Sequence, residues 1–277
     1  MIVFQPGVTA ITLPTERSAK VGYRDIPAQS AERDAIGSLT MRYQPVVSLS
    51  TGLMTGVEAL VRRVDSTGGL LPPGRFIDEI ERAGLGALLS EIVVRTTLAE
   101  IGATDLCRAG SNIGVNMPLD VVLDPGTPDL LEDARQEAGI PASQIVIELT
   151  ESQPADDLPA LRRALDRLCA LGYRTAIDDF THDMPNGAAL LDLPFTTLKL
   201  DISMVRSGDD AFLLRTVESA LRRGLFVVAE GIDGVIGWRR LRDAGVSRGQ
   251  GYWIGPPLAA PLLPAWMLAW DARRRSL

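Results

Sequence analysis

Two cysteines, Cys107 and Cys169, and one histidine, His182, are all that a chain of 277 residues offers to soft-metal chemistry. The cysteines stand far apart in no ligand-spaced pair, which argues against a zinc site and a disulfide framework; both read as small buried hydrophobes, and a reducing cytoplasm fits. A basic excess is missing too. With a formal charge of -7, the chain has no broad cationic footprint for duplex nucleic acid. Long apolar runs are equally scarce. The opening MIVFQPGVTAITLP has no basic lead and carries Pro6, a poor secretory signal. The ending PLLPAWMLAW is too short and too interrupted by proline to span a bilayer, so no membrane insertion is expected.

What is present suits a globular fold. A hydrophobic share of 46% and a charged share of 23% allow a substantial core and argue against disorder. Residues 1–38 are mixed in pattern and read as an N-terminal extension, 39–262 as the main domain, and 263–277 as a C-terminal helical tail. The main domain repeats one form: a short β-branched or apolar run, one or two polar groups, then a helical stretch. The runs are MRYQPVVSL, MTGVEALV, SNIGVNM, QIVIELTE, YRTAIDDF, TTLKLD, LFVVAEG and SRGQGYWIG, short enough for strands buried on both faces. Helical spacing lies between them, from Pro73 to Gly102 with a break at Gly84, then about Pro128–Ala138, Leu158–Leu171, Asp210–Arg223 and Val235–Ala244. Gly139, Gly172, Gly224 and Gly245 stand where left-handed helix ends belong. The pattern predicts an α/β fold, a closed TIM-like (β/α)8 barrel ahead of an open doubly wound sheet, because an open sheet concentrates its site at one switch point.

Here nearly every strand ends in a chemically useful group: Glu58, Asn116, Glu148, Asp178 with Asp179, Lys199 with Asp201, Glu230 and Gln250. An acidic residue after a strand is ordinarily a cap or a solvated loop group. In a parallel barrel, however, the strand ends converge on one face. Five or more carboxylates meeting there repel one another unless cations intervene, and carboxylates with amide oxygens suit Mg²⁺, Mn²⁺ or Ca²⁺. Two such ions would hold a phosphodiester and activate water. Lys199 would then bond the attacking water or balance developing charge; alone, its segment would read as an ion pair with Asp201.

These residues carry a resemblance. YQPVVSLSTGLMTGVEALVRR, VNMP at Asn116, ELTES at Glu148, DDF at Asp178, KLD at Lys199, AEG at Glu230 and QGYWIGPPL at Gln250 follow in the order that the EAL domain family shows, over about residues 39–262. The resemblance implies an EAL-type barrel with one antiparallel strand, MRYQPVVSL, and hydrolysis of cyclic di-GMP to linear pGpG with Mg²⁺ or Mn²⁺, two ions to a site. It assigns Glu58, Asn116, Glu148 and Asp178 to the first metal and Asp178, Asp179 and Glu230 to the second. Lys199 would contact the nucleophilic water, with Glu230 and Gln250 in the catalytic polar network, Arg62 on a substrate phosphate and Asp201 behind the ligands. A homodimer is also implied.

One segment departs. Where the family carries a glycine-rich loop close to GTGYSSL, this chain has THDMPNG, Thr181 to Gly187, with Pro185 stiffening it and Glu151 retained as the loop's anchor. His182 and Asp183 read as hydrogen-bonded or turn residues rather than added ligands. Asp233 also replaces a common glutamate. The changed loop motivates a rival reading, a receptor that binds cyclic di-GMP without cleaving it; a protein-interaction scaffold is the third, weakened by the retained carboxylates. Trp266 and Trp270, four apart, read as packing partners, and the arginines of RRRSL as complements of a helix C-terminus.

Overall fold

The computed structural model describes residues 30–108, 110–150, 156–207 and 209–275. The Cys107 side chain, Glu151 and residues 1–29 lie outside the described residues. The strands are β1 (Leu39–Ser48), β2 (Met54–Val64), β3 (Leu70–Leu71), β4 (Asn112–Pro118), β5 (Ile145–Thr150), β6 (Arg174–Phe180), β7 (Thr197–Leu200), β8 (Phe226–Ala229) and β9 (Arg248–Gly249).

Eight of them close a ring. From β1 the neighbours run β2, β4, β5, β6, β7, β8, β9 and back to β1, while β3 only pairs with the far end of β2. The two pairings of β1 are antiparallel, with Gln44 opposite Glu58 on β2 and Val47 opposite Gly249 on β9. All other pairings in the ring are parallel. Connection length explains the difference. The chain returns from β1 to β2 through a tight turn in which Gly52, at φ 71°, bonds back to the Ser48 carbonyl at 2.8 Å. Such a hairpin joins only antiparallel strands, whereas the later strands are separated by helices long enough for a parallel crossover. The fold is therefore a TIM-like (β/α)8 barrel in which the segment MRYQPVVSL supplies the reversed strand.

Strands buried on both faces give the barrel its core: Ile145 to Leu149 of β5 are all buried, Glu148 included. The helices Leu158–Ala170 and Asp210–Arg222 start at aspartates, Asp157 and Asp209, whose carboxylates accept from the Ala160 and Phe212 amides at 2.8 and 2.9 Å. Such caps satisfy amides that the helix itself leaves free. Before β1, the helix Ser30–Ile36 buries Ile36 in the core.

The helix Leu263–Arg274 brings all four tryptophans of the chain together. Trp266 stacks on Trp270 at 6.0 Å, and Trp270 in turn meets Trp238 and Trp253. Both indoles on the helix also donate across it, Trp266 to the Ile254 carbonyl at 3.1 Å and Trp270 to the Gly52 carbonyl at 2.7 Å. The arginines Arg273 and Arg274 stand in the last turn of this helix, as a complement to its C-terminus requires, and also make side-chain contacts. Arg273 lies 4.2 Å over the Trp253 ring, and Arg274 pairs with Asp271 at 2.6 Å. Cys169 is half-buried rather than fully buried, and its thiol donates to the Pro194 carbonyl at 3.4 Å. Among the described residues, no helix is long and apolar enough to cross a membrane.

Candidate metal centre

The two-residue period of a strand decides which side chains enter the barrel. Glu58 on β2, Asn116 on β4, Glu148 on β5, Asp178 on β6 and Lys199 on β7 fall on inward positions, and Gln250 follows directly on β9. Lys199 is 2% exposed. Its ammonium stands 2.7 Å from Asp178 Oδ1, 2.9 Å from Glu230 Oε1, 3.0 Å from Glu148 Oε2 and 3.4 Å from Glu58 Oε2. The ion pair that Lys199 would make with Asp201 does not form. Asp201 begins the helix Ile202–Arg206 and turns its carboxylate onto the Ser203 amide at 2.7 Å.

Amides fill the gaps between carboxylates. Gln250 Nε2 donates to Glu58 Oε2 at 2.5 Å and to Glu230 Oε1 at 3.1 Å, and Asn116 Nδ2 donates to Glu58 Oε1 at 3.1 Å. Each amide thereby turns an oxygen elsewhere, and Gln250 Oε1 is buried without a partner. Space for the cluster comes from glycine. A Cβ on Gly114 would fall 2.2 Å from Glu148 Oε1, so only a residue without one lets that carboxylate lie across β4.

Asp178 and Asp179 are adjacent, and in a regular strand they would face opposite ways. They do not, because β6 bulges between Ile177 and Phe180 and Asp179 takes φ 47°. A left-handed, non-glycine residue costs about 1–3 kcal/mol and is held only where its surroundings demand it. Here the bulge lets carboxylate oxygens of Asp178, Asp179 and Glu230 lie within 4.8 Å of one another, beside a second such group of Glu58, Glu148 and Asp178.

Electrostatics show a surplus of negative charge. For Lys199, burial alone would lower the pKa, but the surrounding Asp178, Glu148, Glu58 and Glu230 raise it well above the ordinary range. Burial pushes Glu230 up to about 8, with Lys199 opposing and the Glu58 and Asp178 charges adding to the rise. Asp179 is pushed up to about 6 by burial and then by Asp178, although one side of it opens to solvent. Burial raises Glu148 and Asp178 as well, and their carboxylate neighbours add to it. Glu58 goes the other way: burial is outweighed by Lys199 and by the bonds from Gln250 and Asn116. Four carboxyl groups thus share one ammonium, and Asp179 adds a fifth carboxyl beside them. An all-oxygen donor set of this charge fits hard divalent cations, and such ions would lower the raised values.

Some expected residues stand apart. Arg62 lies further along β2, half-buried, with Nη1 donating to the Val61 carbonyl at 2.8 Å and no ion pair to the cluster. His182 is exposed; its Nδ1 meets Asp183 at 3.0 Å and its ring lies 4.2 Å from Phe212. Asp233 pairs with Arg206 at 3.7 Å on the surface. A feature that sequence reasoning did not find is the cleft of about 290 Å³ beside the cluster, where Glu58, Asp178, Asp179 and Glu230 meet Leu60, Ile77, Leu89 and Val93. The helical spacing of Ile77, Leu89 and Val93 was visible, but not that it lines the site.

The chain matches the EAL domain description over residues 29–257. It belongs to the EAL domain family. Among relatives, this EAL domain is 32% identical over 233 residues to the cyclic di-GMP phosphodiesterase PA2567 of Pseudomonas aeruginosa, covering 81% of this chain and 39% of that protein. A solved structure titled as the PaMucR phosphodiesterase in complex with c-di-GMP superposes with a TM-score of 0.76 at 30% identity, over 85% of this chain and 96% of that one. The FimX EAL domain of Xanthomonas citri, solved with c-diGMP, gives a TM-score of 0.70 at 20% identity, over 80% of this chain and 88% of that one, and speaks to the fold alone. The EAL domain described here spans about a third of the length of the first relatives it matches.

Proposed function

We propose that this EAL domain hydrolyses cyclic di-GMP to linear pGpG with Mg²⁺ or Mn²⁺. The observation that carries the reading is the gathering of five carboxylates, two amides and a buried lysine at one mouth of the barrel. PA2567 and PaMucR, named as phosphodiesterases, support it. In this reading Glu58, Asn116, Glu148 and Asp178 hold one ion, and Asp178, Asp179 and Glu230 the other. Bound there, the pair would polarise the phosphodiester and acidify a water. Asn116 and Gln250 fix the Glu58 carboxylate through their N–H groups, so that Asn116 presents its carbonyl oxygen as a ligand. Lys199, kept charged by its neighbours, holds the attacking water by a hydrogen bond and offsets charge developing on phosphorus. The apolar wall of Leu60, Ile77, Leu89 and Val93 receives a base, and Arg62 a phosphate.

Incubation with cyclic di-GMP and Mn²⁺ followed by chromatography is expected to release pGpG, and Glu58→Ala to abolish the release. Absence of product across metal and protein concentrations would reject the enzyme. The second reading, a receptor, draws on the loop Thr181–Gly187, which lies against Phe212 through His182 and buries Met184 instead of reaching the carboxylates. Binding with the ligand recovered intact would establish it. A homodimer is the proposed assembly, checked by sedimentation velocity.

A further inference from the structure

The opposite mouth of the barrel has a different chemistry. Arg174 begins β6, four residues before Asp178 and so about 13 Å below it along the strand. Arg248 opens β9, two residues before Gln250. Both belong to the inward set: Arg248 lines the narrow interior cavity together with Asn112 and Thr197, and Arg174 Nη1 reaches past the intervening β5 to Asn112 Oδ1 at 3.1 Å.

Two half-buried guanidinium groups in one mouth need a counterion, since burying a charge without a partner is costly. Among the described residues neither has a carboxylate within ion-pair distance. Asn112 offers Arg174 a neutral oxygen. Arg248 has only the face of Phe226, 4.3 Å from its Cζ. Burial, and then the charge of Arg174, hold Arg248 below the ordinary guanidinium range. Stacking on a ring occupies the guanidinium face and leaves its N–H edge open for planar, bidentate bonds. Asn112, with Oδ1 engaged by Arg174, keeps Nδ2 as a further donor. Phe226, 45% exposed, leaves the mouth open to solvent.

We propose that this N-terminal mouth is an oxyanion site in which Arg174, Arg248 and the Asn112 amide bind a phosphate group. Two guanidinium forks and an amide, tied together by the Arg174–Asn112 bond, suit a tetrahedral oxyanion better than a halide. The cavity that Arg248 lines reaches Glu148, Lys199 and Gln250 of the carboxylate cluster at its inner end, but the proposal does not depend on the hydrolytic reading.

The test is thermal unfolding and calorimetric titration of the whole chain with inorganic phosphate, in chelator, against chloride at equal ionic strength. Phosphate is expected to raise the Tm saturably in the wild type. Arg248→Gln and Arg174→Gln should each weaken binding at least tenfold, while Arg222→Gln, on an exposed helix face beside Glu218, leaves it unchanged. Arg248→Lys, which keeps the charge but not the fork, should fall between, and it keeps the test open if a glutamine variant fails to fold. Guanosine monophosphate binding no tighter than phosphate assigns the mouth to the free anion; tighter binding assigns it to a nucleotide's terminal phosphate. No saturable phosphate effect in the wild type, or an effect lost in Arg222→Gln but kept in Arg248→Gln, would overturn the proposal.

Discussion

At Lys199 one ammonium is enclosed by Asp178, Glu230, Glu148 and Glu58, all within 3.4 Å. Removing a partner from a buried charge cluster leaves the others uncompensated, a loss of about 3–5 kcal/mol in comparable cases. Lys199→Met is therefore expected to lower urea-unfolding stability in chelator by about that much, and added Mn²⁺ to recover part of it. Unchanged stability in chelator would mean that the carboxylates do not rely on the ammonium. None of these four partners is near Lys199 in sequence. The neighbour suggested by sequence is Asp201, but the backbone leaves the strand after Leu200 and enters a helix, and Asp201 becomes its cap. Identity and spacing reveal which residues are polar at strand ends; which of them touch depends on barrel closure, a property of no single segment.

Elements were more legible than contacts. Each run named from sequence overlaps a barrel strand, because most of these strands are buried on both faces and leave an apolar signal. The helix ends at Gly139 and Gly172 likewise carry φ of 68° and 90°. Short elements escaped: the strand Leu70–Leu71 lacks the length to show a period, the helix Ser30–Ile36 makes just under two turns, and the helices Asp105–Arg108, Leu119–Leu123, Gly187–Leu190 and Ile202–Arg206 are shorter still. The bulge in β6 escaped as well, since nothing in the letters DDF requires a left-handed Asp179. Gly114 on β4 is the simplest element-scale test of the site. In Gly114→Ala the new methyl must displace the Glu148 carboxylate, and overpacking of this kind costs about 1–3 kcal/mol. The expected result is a folded, less stable barrel with Mn²⁺ affinity weakened at least tenfold. A variant that keeps wild-type affinity would show that Glu148 need not lie where β4 now permits it.

Across the whole molecule the barrel is polar, with carboxylates in one mouth and guanidinium groups in the other, and this makes its stability depend on pH and metal together. Asp179, at about 6, and Glu230, at about 8, lie above the ordinary carboxyl range. At these two groups the metal-free fold therefore binds more protons than the unfolded chain between about pH 4 and pH 8. Stability from these two groups is complete below about pH 4 and declines as pH climbs through 6 and 8. A divalent ion binds only the deprotonated carboxylates, so it competes with protons at low pH and replaces them at high pH. The gain in Tm produced by a fixed Mn²⁺ concentration is accordingly expected to be larger at pH 8.5 than at pH 6. Titrations near pH 7 in buffers of different ionisation enthalpy should register protons released on binding. Equal Tm gains at the two pH values would place the metal away from Asp179 and Glu230; a smaller gain at pH 8.5 would reverse the linkage, because the ion would then bind where protons help rather than compete.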